Sequence, residues 1–111
     1  MIDIVIPTFK RLNSQITLSN IPESLLENVT LVVQPQEELE ANKIHDKIYV
    51  VSDNNIGFAK TIRDLTYEFS VKRRSMFWIF DDDLSFFQNT PQEDKLIKKK
   101  LSDESFCEML N

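Results

Sequence analysis

Three consecutive carboxylates, Asp81, Asp82 and Asp83, are the residues of this chain whose type and spacing best suit chemistry. They directly follow an apolar run at residues 76–80, which predicts a buried β-strand. Clustered carboxylates raise one another's pKa, so they sit together at low cost only where water or a cation reaches them. Mg²⁺ and Mn²⁺ suit such a place, because hard ions bind carboxylates and leave other positions to water and phosphate. We therefore predict a metal and diphosphate site, against the alternative of a solvated acidic turn.

Length and composition favour one small globular domain. The chain has 111 residues, a net charge of −5 and eight phenylalanines, so it can build a core and creates no overall field that attracts nucleic acid. Cys107 is the only cysteine, which excludes an internal disulfide and favours a reducing compartment. No apolar run approaches the ~20 residues that cross a bilayer. We expect no membrane partner and a cytoplasmic location.

Apolar runs and polar stretches alternate along the chain, as strands and helices do in α/β proteins. Runs rich in β-branched or aromatic residues predict four strands, at residues 2–6, 29–33, 47–51 and 76–80. Helices are predicted between them at residues 13–18, 36–43 and 57–72. Continuous apolar strands joined by helices predict an α/β fold with a Rossmann-like, mostly parallel sheet and helices on both faces.

The helix predicted at residues 57–72 carries an apolar stripe. Its members recur every three or four residues and are Phe58, Ile62, Leu65 and Phe69. This spacing predicts a single buried face. We therefore expect the phenylalanines, together with Trp78, to belong to the core rather than to a platform for stacking bases.

Polar or turn-forming residues follow every predicted strand. They are Pro7, Thr8 and Arg11 after the first strand, Gln34 after the second, residues 52–56 after the third, and the aspartates after the fourth. In a parallel sheet these carboxyl ends share one edge, which is where open α/β sheets bind ligands. The pattern is common in α/β loops, so its weight comes from the aspartate triplet.

The segment after Phe87 carries a helix-start signal. Thr90 and Glu93 have the spacing of a capping box, and Pro91 stands at the first helical position. The signal predicts a Lys-rich helix whose lysines, at residues 98–100, are either solvated or in contact with DNA phosphate. Residues 102–110 predict one further short helix.

Three of these motifs resemble nucleotide-sugar glycosyltransferases of the GT-A fold. Residues 3–11 (DIVIPTFKR) resemble the first strand of that family, and residues 55–63 (NIGFAKTIR) resemble its Asn-x-Gly segment leading into a helix with an arginine. Residues 80–84 (FDDDL) resemble the DxD motif at the fourth strand. The segment 31–35 (LVVQP) and the DDDL ending look most similar to phage glycosyltransferases that act on modified bases in DNA.

The resemblance implies roles for the aspartates in binding a divalent metal, Mn²⁺ or Mg²⁺. Asp83 is the expected direct ligand, while Asp81 contacts the ribose or the metal. Asp82 could exchange roles with either of them, because a triplet leaves the register of the DxD motif open.

The resemblance also implies a set of donor-binding residues. Guanidinium groups pair bidentately with phosphate oxygens, so the two arginines are diphosphate candidates, against the alternative of solvated surface side chains. Pro7 and Thr8 are expected to line the base and ribose, and Gln34 to read the base edge. Asn55 and Gly57 are expected to open a helix whose N-terminus faces an anion, against the alternative of a plain helix start. The full set is Pro7, Thr8, Arg11, Gln34, Asn55, Gly57, Arg63 and Asp81.

The resemblance covers residues 1–87 as a nucleotide-sugar-binding domain and leaves residues 88–111 as a helical tail, the expected start of an acceptor-binding half. It implies a donor such as a uridine diphosphate sugar, with modified DNA bases among the candidate acceptors. It leaves the catalytic base unassigned, so we expect a fragment, a short natural protein, or a site completed by an oligomer or a second chain. The alternatives are a non-catalytic nucleotide-binding or protein-interaction module of the same fold, and a nucleotidyltransferase-like domain.

Overall fold

The predicted strands assemble into a parallel sheet in the computed structural model, which describes residues 2–92, 95–100 and 102–110, with no side chains described within 87–100. Their β-branched residues favour the extended backbone. The strands pair in the order β3-β2-β1-β4, and all three pairings are parallel. The predicted α/β class with a Rossmann-like parallel sheet is therefore confirmed. The strands are β1 (Ile2–Pro7), β2 (Val29–Val33), β3 (Ile48–Val50) and β4 (Met76–Ile79).

Helices connect the strands close to the predicted positions. They are α1 (Ile16–Asn20), α2 (Glu38–Ile44) and α3 (Phe58–Leu65), with short 3₁₀ turns at Glu23–Asn28 and Pro35–Glu37. The α3 helix continues as wider π-helical turns over Thr66–Lys72, so helical backbone extends through the predicted range. Among the described residues, no helix combines the length and apolarity needed to cross a membrane.

The core forms two apolar layers, one on each face of the sheet. Successive residues of a strand point to opposite faces, so Ile4 joins one cluster and Val5 joins the other. Ala41 of α2 packs in the Ile4 cluster, whereas Leu65 of α3 packs in the Val5 cluster. Helices therefore cover both faces, as predicted.

The predicted apolar stripe of the third helix is only partly buried. Leu65 and Phe69 are fully buried, but Phe58 is 73% exposed. Phe58 is the first residue of α3 and lies at the rim of a cleft, so no layer covers it. The prediction that Phe58 belongs to the core is therefore wrong.

The strand before the aspartates is an edge strand rather than a buried one. β4 pairs only with β1 within the four-stranded sheet, and burial alternates along it. Met76 is 76% exposed and Trp78 is 38% exposed, whereas Phe80, just after the strand, is buried. The strand was predicted correctly, but a single sequence cannot tell an edge position from a central one.

The Lys-rich helix predicted after Thr90 is wrong. Residues Phe87–Gln92 form β5 and residues Lys95–Lys100 form β6, paired antiparallel with Thr90 opposite Ile97. A capping box is a four-residue signal, and here the inter-strand ladder satisfies the backbone groups that a helix would have used. Pro91 fits this pairing because each strand of a two-stranded sheet is an edge strand.

The predicted closing helix is confirmed as α4 (Asp103–Leu110). Phe106 is 1% exposed, and its ring lies 4.7 Å from that of Phe86 and 6.4 Å from that of Phe80. The helix thus contributes to the core beside β1, although it lies beyond the domain boundary expected at residue 87.

We predict that Phe106→Ala lowers the free energy of unfolding by about 3–5 kcal/mol, since it leaves a cavity beside Phe80 and Phe86. Urea denaturation followed by circular dichroism would measure the loss. Met109→Ala, on the exposed side of the same helix, is the control and should change stability little. Equal effects of the two substitutions would contradict the packing of α4 on the sheet.

Candidate functional site

The strand order creates a crevice at the carboxyl ends of β1 and β4. From β1 the chain moves to β2 and β3 on one side and then returns to β4 on the other side of β1. Ligands of open α/β sheets bind where the order reverses in this way. A cleft of about 410 Å³ opens here, lined by Pro7 at the end of β1, by Phe9 just after it, and by Ile79 and Asp81 around the end of β4. This volume lies within the range of small-ligand pockets.

The three carboxylates occupy different environments. Asp82 is 5% exposed, accepts a 2.9 Å hydrogen bond from Thr8 Oγ1 at Oδ2, and has Arg11 Nη2 at 3.3 Å from Oδ1. Asp81 and Asp83 are exposed and line the cleft. The middle carboxylate is thus a structural anchor, and the outer two remain as candidate metal ligands. The sequence left this assignment open.

Arg11 lies between the anchor and the cleft. Its Nη2 atom is also 3.8 Å from Asp83 Oδ2, and its side chain is 50% exposed. The pair with Asp83 is solvent-exposed and weak, whereas Asp82 holds the guanidinium from the buried side. The remaining N–H groups of Arg11 can therefore reach a phosphate without loss of the buried contact.

Thr17 fixes the backbone of the triplet and was not recognised from the sequence. This buried residue of α1 donates through Oγ1 to the carbonyl of Asp81 and accepts from the N–H of Leu84 at 2.7 Å. Its own N–H donates to the carbonyl of Asp82 at 3.1 Å. These partners lie more than 60 positions away along the chain, so no local pattern could have revealed them.

Thr8 lies at the centre of a hydrogen-bond chain instead of lining the cleft. Its hydroxyl accepts from Gln15 Nε2 at 2.8 Å while donating to Asp82, and Gln15 also donates to the carbonyl of Arg11 at 3.0 Å. The N–H of Thr8 is used in the sheet, where it donates to Val32. Pro7 and Thr8 were both predicted to line the base and ribose, and only Pro7 lines the cleft.

Gln34, the predicted reader of the base edge, is 2% exposed and does not line the cleft. Its Nε2 donates to Glu37 Oε1 at 3.1 Å, and its Oε1 accepts from the N–H of Asn55 at 2.6 Å. Glu37 Oε2 accepts in turn from the N–H of Lys10 at 2.8 Å. Lys10 and Asn55 both have left-handed backbone, with φ of 62° and 59°, so these bonds hold two strained loop positions. Gln34 and Asn55 position loops around the cleft.

Gly57 and Arg63 have different relations to the cleft. Gly57 lines it with φ of 86° and ψ of 166°, a conformation that is essentially restricted to glycine. No side chain caps α3, so the N–H groups of its first turn are open to an anion. Arg63 is exposed and does not line the cleft. It follows Thr61, which does line the cleft, by two residues, and two residues turn a helix by roughly 200°, so Arg63 points away from the cleft.

The donor set fits a hard divalent cation. Among the described residues, no group of three or more histidine, cysteine or acidic side chains converges as a complete metal cage. Asp81 and Asp83 offer two carboxylates beside an open cleft. Mg²⁺ accepts such a set, because it needs only one or two protein carboxylates when phosphate and water complete its shell.

Comparisons of the chain with protein-family models, with curated proteins and with solved structures found no match. The chemistry assigned to this cleft therefore depends on its own residues. The motif resemblance described above stays a prediction.

We predict opposite effects for the same substitution at adjacent aspartates. Asp82→Asn should lower the free energy of unfolding by roughly 1–3 kcal/mol, because it weakens the buried contacts with Thr8 and Arg11. Asp83→Asn should leave the melting temperature unchanged or raise it, since it removes repulsion within the triplet. Thermal denaturation of both variants measures the difference. A large loss for Asp83→Asn would show that Asp83 is structural and would remove it from the site.

Proposed function

We propose that this chain binds a nucleoside-diphosphate sugar together with Mg²⁺ or Mn²⁺, as the donor-binding domain of a GT-A-type glycosyltransferase. One observation carries the proposal. Two exposed carboxylates and a guanidinium line a cleft where the strand order reverses, while the carboxylate between them is buried as their anchor. Asp82 holds the loop that carries the two exposed carboxylates, so they stay beside the Arg11 guanidinium at the cleft.

Asp81 and Asp83 would hold the ion, and Arg11 would donate hydrogen bonds to phosphate oxygens. When bound, the metal supplies Lewis-acid stabilisation to the departing diphosphate. Arg11 adds a second, fixed positive charge on the same group. The open first turn of α3 provides further N–H donors at the cleft.

Preorganisation supports the proposed role. Thr17 fixes the backbone on both sides of the carboxylates, and Asp82 fixes the guanidinium. The charged groups therefore need little rearrangement when a diphosphate enters, which favours both binding and stabilisation of developing charge.

A non-catalytic nucleotide-binding module is the second candidate. Within the described part of the chain, the cleft lining holds no histidine or cysteine, and its only acids are the triplet itself. If Asp81 and Asp83 hold a metal and Asp82 is an anchor, none of them is available to deprotonate an acceptor. Transfer would then need a base from elsewhere, such as an oligomer or a second chain.

The proposed donor is a uridine diphosphate sugar, and modified bases in DNA are the proposed acceptors. The proposed setting is the cytoplasm, which is the host cytoplasm for a phage-encoded enzyme. These assignments follow the motif resemblance and extend the proposal for the cleft.

We predict that uridine diphosphate binds more tightly with Mn²⁺ or Mg²⁺ than in the presence of a chelator. Asp83→Asn should abolish the metal-dependent part, and Arg11→Gln should weaken binding at least about tenfold, because it removes charge-assisted hydrogen bonds. Titration calorimetry with and without metal provides both measurements.

Arg63→Gln controls for the loss of one exposed positive charge, since Arg63 lies outside the cleft. The melting temperature of Arg11→Gln is measured as well, because Arg11 also pairs with the buried Asp82. It should leave the affinity unchanged. Equal affinity with and without metal, or equal losses at the two arginines, would contradict the proposed site.

We also predict little or no sugar transfer by the isolated chain, with slow hydrolysis of the donor as its residual activity. A metal-bound donor is insufficient when no group deprotonates an acceptor held in line. Incubation with nucleotide sugars, Mn²⁺ and hydroxymethylated DNA, followed by mass spectrometry of DNA and sugar, tests this. Efficient transfer by a monomeric sample would show that the chain supplies its own catalytic base. It would also contradict the second candidate, a non-catalytic nucleotide-binding module.

A further inference from the structure

The cleft is lined by apolar side chains as well as charged ones. The apolar ones are Pro7, Phe9, Phe58 and Ile79. Phe58 is 73% exposed, although its spacing on the helix had predicted a core position. A large aromatic side chain left uncovered within a concave site offers a ring face that a planar ligand can cover.

The polar side chains of the cleft leave few groups to read a base. The hydroxyl of Thr61 donates to the carbonyl of Gly57 at 2.8 Å, so its hydrogen is already used within α3. Gln34, which had been expected to read the base edge, is buried between Glu37 and Asn55. Arg11, Asp81 and Asp83 also line the cleft, and the proposed function assigns them to the diphosphate and the metal. The remaining acid of the lining, Asp82, is the buried anchor.

From these observations we propose that Phe58 is the platform on which a nucleobase stacks, and that the cleft binds nucleoside diphosphates with little preference among bases. The inference rests on the proposed metal and diphosphate site, and it widens the proposed donor from uridine diphosphate sugars to nucleoside-diphosphate sugars in general. Stacking tolerates any base, because every base has a π-face. Strong discrimination needs hydrogen-bond partners that a wrong base leaves unpaired, and the apolar side chains that line the cleft supply none.

The test compares a diphosphate without a base to three with different bases. Inorganic pyrophosphate, uridine diphosphate, guanosine diphosphate and adenosine diphosphate are titrated into the chain with Mn²⁺ by calorimetry. We expect the three nucleotides to bind within about fivefold of one another, and pyrophosphate to bind at least about fivefold more weakly, since stacking contributes on that scale.

Substitutions at Phe58 then assign the base contribution to one ring. Phe58→Leu should bring the nucleotides close to pyrophosphate, whereas Phe58→Tyr, which keeps the ring, should bind like the parent chain. Tyr67→Leu removes another exposed aromatic ring from the same helical run and is the matched control. Because Phe58 is exposed, its loss should leave the melting temperature unchanged.

The outcomes separate this inference from the function on which it rests. Metal-dependent nucleotide binding with no effect of Phe58→Leu, or with one base preferred by more than about 30-fold, would overturn the stacking platform and leave the diphosphate site intact. Failure of all four compounds, pyrophosphate included, would overturn the diphosphate site and the platform together.

Discussion

The buried carboxylate of Asp82 is the interaction on which the cleft depends. It joins the loop after β4 to the loop after β1, because Thr8 donates to one of its oxygens and Arg11 pairs with the other. A buried charge is tolerated only when it is paired and hydrogen-bonded. The two loops must therefore keep their relative position for the fold to remain stable. The exposed aspartates on either side are positioned as a result. A structural requirement of folding thus places the groups to which we assign chemistry.

Much of the fold follows from apolar periodicity and from local chain signals. The strands of the parallel sheet were predictable because their β-branched runs end at prolines or polar turns, as β1 and β2 illustrate. The capping box at Thr90 shows the limit of such reasoning, since a local signal gave way to pairing with Ile97. The exposure of Met76 and Phe58 was equally hidden, because periodicity reports which residues share a face and not whether anything covers that face.

The residue types of the candidate site were predictable from the sequence. Which of them are structural and which are exposed to a ligand was not. The triplet and Arg11 stood out from the sequence, and the structure brings them to one cleft. The inward orientation of Asp82 depends on Thr8 and on Thr17, whose partners around the triplet lie more than 60 positions away along the chain. Gln34 illustrates the converse, because a polar residue at a strand end suggested a ligand contact and proved to be buried in a structural network.

The hydrogen-bond network of Gln34 and Glu37 couples the loops around the cleft to one another. It connects the loops after β1, β2 and β3 through Lys10 and Asn55, so these loops form one cooperative body rather than three independent ones. Their conformational entropy is lost once, when the chain folds, and is not lost again when a ligand enters. The three loops should accordingly unfold together in a single sub-global event, so that their amide hydrogens exchange with solvent at a common free energy. Motion at one loop should be transmitted to the other two.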